Sequence, residues 1–175
     1  MNYQLYSADR PRYGSGREED PAPMKISCVP ITPKLKGWKN ALQWNIATLG
    51  KVNAYVVYDG STLIHFSYVV RGREKFRFLN KGDIEIGPCW THPDHRGKGI
   101  YPMVLSRIIQ KELGEGGTAY MIIADTNGPS QRGVAKAGFQ KTGDVVERDV
   151  LKRYRVRMHP PRPSADVPDR GRNNE

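Results

Sequence analysis

The stretch Trp90-Thr91-His92-Pro93-Asp94-His95-Arg96-Gly97-Lys98-Gly99-Ile100-Tyr101 concentrates residues whose types and spacing can do chemistry. Glycines at 97 and 99 let successive backbone N–H groups turn toward one point with no Cβ in the way, and a helix opening behind them adds its positive N-terminal dipole. Such a loop suits a pyrophosphate. It is not a Walker A loop, because no Gly-Lys-Ser/Thr run is present, and a dinucleotide fingerprint would need a third glycine at 102, which is Pro102. Cys89, His92 and His95 share the segment at metal-like spacing. Pro93 interrupts the run, a strand would turn Cys89 and His92 to different faces, and no fourth ligand is near, so no metal is expected. On that reading Cys89 packs and His95 is exposed.

The elements that must hold this loop follow from periodicity. Ile84 to Thr91 reads as a strand feeding the loop, and Gly99 to Leu113 as the helix leaving it, with Val104, Leu105, Ile108 and Ile109 at helical spacing. Val52 to Tyr58 and Thr62 to Val70 flank Asp59-Gly60-Ser61 as two strands of a hairpin. Tyr120 to Ala124 is a short apolar strand, Pro129 to Ala137 a short helix, and Val145 to Val156 one or two terminal strands. Upstream, Leu35, Trp38, Leu42, Ile46 and Leu49 mark one face of a helix, with Thr32 and Pro33 at its start and Gly50 at its stop. The order is mixed α/β. Residues 1–24 read as an N-terminal segment that is partly loop, 25–158 as the domain, and 159–175 as a Pro-rich tail.

The chain has 175 residues, 38% of them hydrophobic, enough for one core. The longest apolar run, Ala119 to Ala124, is six residues, far short of the roughly twenty needed to span a bilayer. The first thirty residues hold Asp9, Glu18, Glu19 and Asp20 and no apolar signal region, so a cytoplasmic location is expected. Two cysteines, Cys28 and Cys89, are too few to staple a secreted scaffold. The formal net charge is +10, and the whole excess falls between residues 28 and 159. An anionic partner is favoured.

His-Pro-x-x-Arg-Gly-x-Gly-Ile after a strand, followed thirty residues on by Asn127-x-x-Ser130 and Lys136-Ala137-Gly138-Phe139, resembles the two acyl-CoA motifs of the GNAT superfamily of N-acyltransferases. The likeness is close over residues 84 to 140 and extends in element order over 52 to 156. It implies an α/β fold with a mixed, splayed central sheet flanked by helices, and acetyl-CoA as co-substrate. Carried over residue by residue, the pantetheine strand is Trp90, Thr91 and His92. The pyrophosphate loop is Arg96, Gly97, Lys98, Gly99, Ile100 and Tyr101. Asn127 and Ser130 meet the pantetheine arm. A backbone N–H of the splayed strand would serve the oxyanion, and Glu85, set between Ile84 and Ile86, is the candidate base. The family's usual tyrosine, seven residues after the motif asparagine, is Val134 here. Tyr101, Tyr68 and His65 are then the candidates for protonating the departing thiolate; Tyr68 and His65 are three apart on a strand and cannot both enter the site.

The runs Tyr55-Val56-Val57-Tyr58, His65-Phe66-Ser67-Tyr68 and Ile84 to Thr91 look like GNAT members of bacterial surface-polysaccharide synthesis. That likeness implies a primary amine on a nucleotide-linked amino sugar as acceptor, an anionic small molecule, with Arg71, Arg73 and Arg77 as candidates to meet it. Other acceptors are a protein amine, a polyamine or an aminoglycoside, and a non-catalytic acyl-CoA-binding module is a further alternative. Arg71, Arg73, Lys75 and Arg77 interleave with Phe76 and Phe78, but a solvated strand edge gives the same pattern, so nucleic acid is not expected as a partner. A homodimer is left open.

Overall fold

The computed structural model describes residues 2–9, 25–30, 52–71, 78–147 and 154–159. The chain opens with strands β1 (Asn2–Asp9) and β2 (Lys25–Pro30), followed by β3 (Val52–Asp59) and β4 (Thr62–Arg71). The turn between β3 and β4 needs a positive φ, which Gly60 supplies at 58°. Then come β5 (Ile84–Thr91), a single 3-10 turn at Pro93–His95, α1 (Ile100–Glu112), β6 (Thr118–Ala124), α2 (Gly128–Lys136), β7 (Gln140–Glu147) and β8 (Tyr154–Met158). The helix expected over residues 32–50 lies outside the described residues, as do Arg73, Lys75, Phe76 and Arg77.

Among the described residues the strands form one sheet in the order β2-β3-β4-β5-β6-β1-β7-β8. Each neighbouring pair is antiparallel except β5 and β6, which run parallel and pair only at Ile84 with Ala119 and Glu85 with Tyr120. Beyond those positions β5 stays with β4 while β6 continues along β1, so the sheet opens into a fork. The divergence has a local cause. Gly87 sits at φ 145°, a conformation reserved for glycine, and Pro88 has no N–H to offer a ladder. On the β4 side the register accordingly jumps between Ser67, opposite Cys89, and Val69, opposite Ile86. The mixed α/β class and the splayed sheet expected from the sequence are both present.

Residues 2–9, which the sequence places in an N-terminal segment, lie instead near the middle of the sheet, between β6 and β7. Leu5 is fully buried and Tyr6 and Ala8 nearly so. A register shift between Leu5 and Tyr6 breaks the alternation that would have marked this strand.

α1 covers one face of the sheet. Ile100, Val104, Leu105, Ile108 and Ile109 pack with Tyr55, Val57, Ile64, Val69, Ile84, Ile86, Met121 and Ile123. Each fully buried aliphatic side chain of this kind contributes about 1.5–3 kcal/mol. The opposite face holds a second cluster of Val52, Ala54, Val56, Tyr68 and Val70. The far end of α1 is pinned by a polar group: Glu112, buried at 8% exposure, accepts a 2.5 Å bond from the Tyr55 hydroxyl and pairs with Arg71. A carboxylate at a helix C-terminus opposes the dipole and needs such a cation. Arg71, a candidate for meeting an anionic acceptor, is thus committed to α1.

The closed end of the fork is stitched by Asp83, 5% exposed. Its carboxylate accepts from the Asn80 N–H at 2.7 Å and, across the junction, from the Thr118 N–H at 2.9 Å. Gly117 comes so close that an added Cβ would lie 2.7 Å from the Gly82 carbonyl oxygen. Asp83→Ala is expected to lower the unfolding free energy by on the order of 1–3 kcal/mol, because the amides it serves lose a charged acceptor. Asp83→Asn, which keeps one acceptor oxygen, should lose less. Urea denaturation checks this, and an unchanged midpoint in Asp83→Ala would show that the ladder alone holds the junction.

Candidate active site

Where β5 leaves β6, its chain runs straight into the glycine loop. His92 N–H still bonds the Ile64 carbonyl at 2.8 Å, and the 3-10 turn then closes through Arg96 N–H to the Pro93 carbonyl at 3.1 Å. The Arg96 side chain folds back onto the Thr91 carbonyl at 3.1 Å, bracing the loop against the strand. Gly97 and Gly99 adopt φ 77° and 79°, the left-handed region that other residues enter at a cost. Gly99 is the N-cap of α1, so no side chain caps the helix, and its first turn holds no acidic residue. The N–H groups there are available to an anion.

The opposite wall is α2. Asn127 caps it, its Oδ1 accepting from the Ser130 N–H at 3.2 Å. The Asn-x-x-Ser spacing is therefore a helix start that faces the loop. Between the walls lies a cleft of about 740 Å³, in the range of ligand sites, lined by residues 89–91, 95–97, 99–102, 127, 129, 130, 132, 133 and 136. Arg96, Arg132 and Lys136 give it a positive field, and none of these lining residues is acidic.

Of the residues expected to hold a cofactor, Trp90, Thr91, Arg96, Gly97, Gly99, Ile100, Tyr101, Asn127 and Ser130 line the cleft. Lys98 and His92 do not. Lys98 is exposed on the loop, and the His92 ring stands edge-on to Trp90, with centroids 5.8 Å apart. Sequence reasoning missed Cys89, His95, Arg132, Gly133 and Lys136. The last three continue the face of α2 that Pro129 begins, at helical spacing, and that was the available signal. His95, expected to be exposed, is half-buried, with its ring 4.0 Å from Asp59. Among the described residues no group of three His, Cys, Asp or Glu is placed to hold a metal.

Tyr101, in the first turn of α1, leans across the cleft onto α2. Its ring lies where a Cβ on Gly133 would come within 2.6 Å, and its hydroxyl is 3.3 Å from Ser130 Oγ. Burial, followed by the neighbouring Cys89, pushes its pKa far above the usual phenol range, so it stays protonated. Val134 points into the core and is fully buried. His65 is fully buried behind the β5 wall, its Nδ1 2.8 Å from Thr91 Oγ1 and its Nε2 2.9 Å from Ser67 Oγ. Tyr68 faces the other way, its ring 4.9 Å from Phe66. Glu85 is 3% exposed at the closed end of the fork, opposite Val70 and Tyr120. It does not line the cleft, and Ile84 and Ile86 on either side face the α1 core.

Burial lowers the His65 pKa from 6.5 to about 4, so the ring is neutral at pH 7. Between those values the unfolded chain binds a proton that the folded chain refuses, so stability falls as pH drops from about 6.5 to about 4 and levels off below. The loss is on the order of 3 kcal/mol. Denaturant titrations across this window should show a shallower decline for His65→Gln, and equal slopes would refute the assignment.

No protein-family model matches the sequence, and no curated protein matches it significantly. Solved structures do resemble the fold. A protein from Novosphingobium aromaticivorans assigned as a GNAT-family acetyltransferase superposes with a TM-score of 0.54 at 16% identity, over 82% of this chain and 60% of that one. A GNAT-family acetyltransferase from Colwellia psychrerythraea gives 0.55 and 16%, over 80% and 52%. A tandem GNAT protein of the clavulanic acid biosynthesis pathway gives 0.57 and 17%, over 80% and 50%. The chain thus spans half to three-fifths of the length of these structures, and its fold is that of the GNAT acetyltransferases.

Proposed function

We propose that the chain is an acyl-CoA-dependent N-acetyltransferase that moves an acetyl group from acetyl-CoA to a primary amine. The observation that carries this reading is the fork: β5 diverges from β6 after Glu85 and opens directly onto the uncapped N-terminus of α1. Past the divergence, the β6-facing edge of Trp90, Thr91 and His92 is left to pair with the amides of a pantetheine arm. The N–H groups from Gly97 to Tyr101, with Arg96, then receive the diphosphate, and Asn127 and Ser130 close the other side.

Acetyl transfer from a protonated amine sheds two protons. The nitrogen must lose the first to attack, then forms a C–N bond as the C–S bond breaks, and loses the second to become an amide while the sulfur gains one. Glu85, at the closed end of the fork, takes the first proton through water. Tyr101 is the only one of the three candidate acids that lines the cleft, and it gives the sulfur its proton. Holding the partners in place supplies most of the acceleration, about 7–11 kcal/mol.

The acceptor is the amino group of a nucleotide-linked amino sugar. The excess of positive charge over residues 28–159, more than the Arg96, Arg132 and Lys136 that line the acetyl-CoA cleft, supports an anionic second substrate. The test begins with thermal melting. Acetyl-CoA should raise the melting temperature of the wild type by preferential binding to the folded state, and Gly97→Val should abolish the shift. That variant itself should melt lower, since valine at φ 77° is strained. An unaltered shift would refute the loop assignment. A panel of nucleotide-linked amino sugars, polyamines, aminoglycosides and peptides, assayed for free CoA, then decides the acceptor. Turnover of a peptide or polyamine alone would overturn the amino-sugar reading.

A further inference from the structure

Three polar side chains are joined behind the β5 wall, and the outermost reaches the cleft. β4 and β5 are antiparallel, with His65 opposite Thr91 and Ser67 opposite Cys89. Residues two apart on a strand share a face, so these side chains fall on the side covered by α1. His65 Nδ1 lies 2.8 Å from Thr91 Oγ1, and Nε2 lies 2.9 Å from Ser67 Oγ. The Tyr101 ring stands 5.9 Å from the imidazole, centroid to centroid. The His92 N–H bonds the Ile64 carbonyl at 2.8 Å and the Arg96 Nε bonds the Thr91 carbonyl at 3.1 Å, so the backbone that carries the Thr91 hydroxyl is tied down as well. His65 and Ser67 are wholly buried, whereas Thr91 lines the cleft.

His65 is neutral at pH 7, and a neutral imidazole bonded at both nitrogens donates through one and accepts through the other. Ser67 decides which. Its hydroxyl proton is out of reach of water and must be given to an acceptor, since a stranded buried donor costs about 1–3 kcal/mol. Among the described residues the acceptor at hydrogen-bond distance is His65 Nε2, while Cys89, opposite across the ladder, offers only a sulfur, which accepts weakly. Ser67 therefore donates to Nε2, the ring carries its proton on Nδ1, and Nδ1–H donates to Thr91 Oγ1. With that oxygen engaged from behind, the Thr91 O–H is turned out toward the cleft. None of the residues lining the cleft is acidic, so a donor on this wall suits a ligand rich in acceptor oxygens.

We propose that His65, held in its Nδ1–H form by Ser67, is a positioning residue that makes the Thr91 hydroxyl a fixed donor to an oxygen of the acyl-CoA arm. The inference rests on the acetyltransferase reading given above and adds a side-chain contact to the backbone pairing of β5. Thr91 touches the ligand, and His65 and Ser67 act only through it. A hydroxyl aimed before the ligand arrives need not be ordered on binding, which removes part of the cost of forming its bond. The same aim makes the wall selective. A ligand group that itself donates would meet the Thr91 proton with no lone pair, so an acceptor is preferred at that point.

Calorimetric titration with acetyl-CoA compares wild type with Thr91→Val, Thr91→Ser, Ser67→Ala and the double variant Thr91→Val/Ser67→Ala. Thr91→Val keeps the shape and removes the donor, and should weaken binding by about 3- to 10-fold, the worth of one hydrogen bond. Thr91→Ser should restore most of the affinity. Ser67→Ala, out of the ligand's reach, should lose part of the same factor by freeing the imidazole to take its other tautomer. In the double variant that loss should vanish, because Ser67 acts through a hydroxyl no longer there. A Ser67→Ala loss that adds in full to that of Thr91→Val overturns the positioning role. A second measurement needs neither variant nor ligand: the nitrogen resonances of His65 should show Nδ1 protonated and Nε2 bare, and the reverse overturns the inference. A wild type that takes up no acetyl-CoA overturns the acetyltransferase reading and the contact with it, whereas a wild type that binds and a Thr91→Val that binds equally well overturn the contact alone.

Discussion

The two-residue contact between β5 and β6 is the constraint on which the other features depend. Two parallel strands that paired along their whole length would leave no cleft, and two that never met would leave no single sheet. Ile84 and Glu85 join the halves, and Gly87-Pro88 ends the pairing immediately afterwards. Asp83 holds the junction from the loop side by accepting from the start of β6. Because the opening begins at a fixed residue, the glycine loop, the α1 N-terminus and the α2 N-terminus all arrive at the same mouth. Burial of α1 against strands from both sides of the fork keeps the angle from collapsing.

Electrostatically the cleft wall is layered. Its rim carries Arg96, Arg132 and Lys136, whose basic side chains draw anions. Beside and behind it, burial drives charge off the remaining groups in opposite directions: the His65 imidazole is pushed down to about 4, the Cys89 thiol up to about 11, and the Tyr101 phenol higher still. One cause, the loss of water, leaves a base and two acids neutral together. The His65 ring, bonded at one nitrogen to Thr91 and at the other to Ser67, is thereby held in one orientation beneath a charged rim.

Much of this was legible in the sequence because it is local. Gly97 and Gly99 announce their backbone angles, α1 and β5 show their periods, and Asn127-x-x-Ser130 is both a motif and a helix cap. The alternation of side chains separated His65 from Tyr68. β1 was not legible: its bulge at Leu5 and Tyr6 breaks the period, and its insertion between β6 and β7 pairs it with residues 118–124 and 140–146, far along the chain. Arg71 looked like a charge awaiting a ligand until its partner Glu112, forty-one residues away, was seen. The place of Tyr101 was hidden for a related reason. The space it fills belongs to Gly133 on another helix, and a missing Cβ carries no sequence signal of what lies over it.

Tyr101 sits one residue past Ile100, the first residue of α1, on the same turn whose N–H groups face the mouth of the cleft. On the proposed reading, diphosphate binding and proton delivery would therefore be mounted on one rigid lever, and a small tilt of α1 would move both ends of it. In an acyl-CoA transferase so built, the grip on the distant nucleotide end of the substrate sets the aim of the acid at its reacting end. A thioester truncated to its pantetheine arm would then react slowly even at saturation, its missing diphosphate appearing as lost rate and not merely as lost affinity.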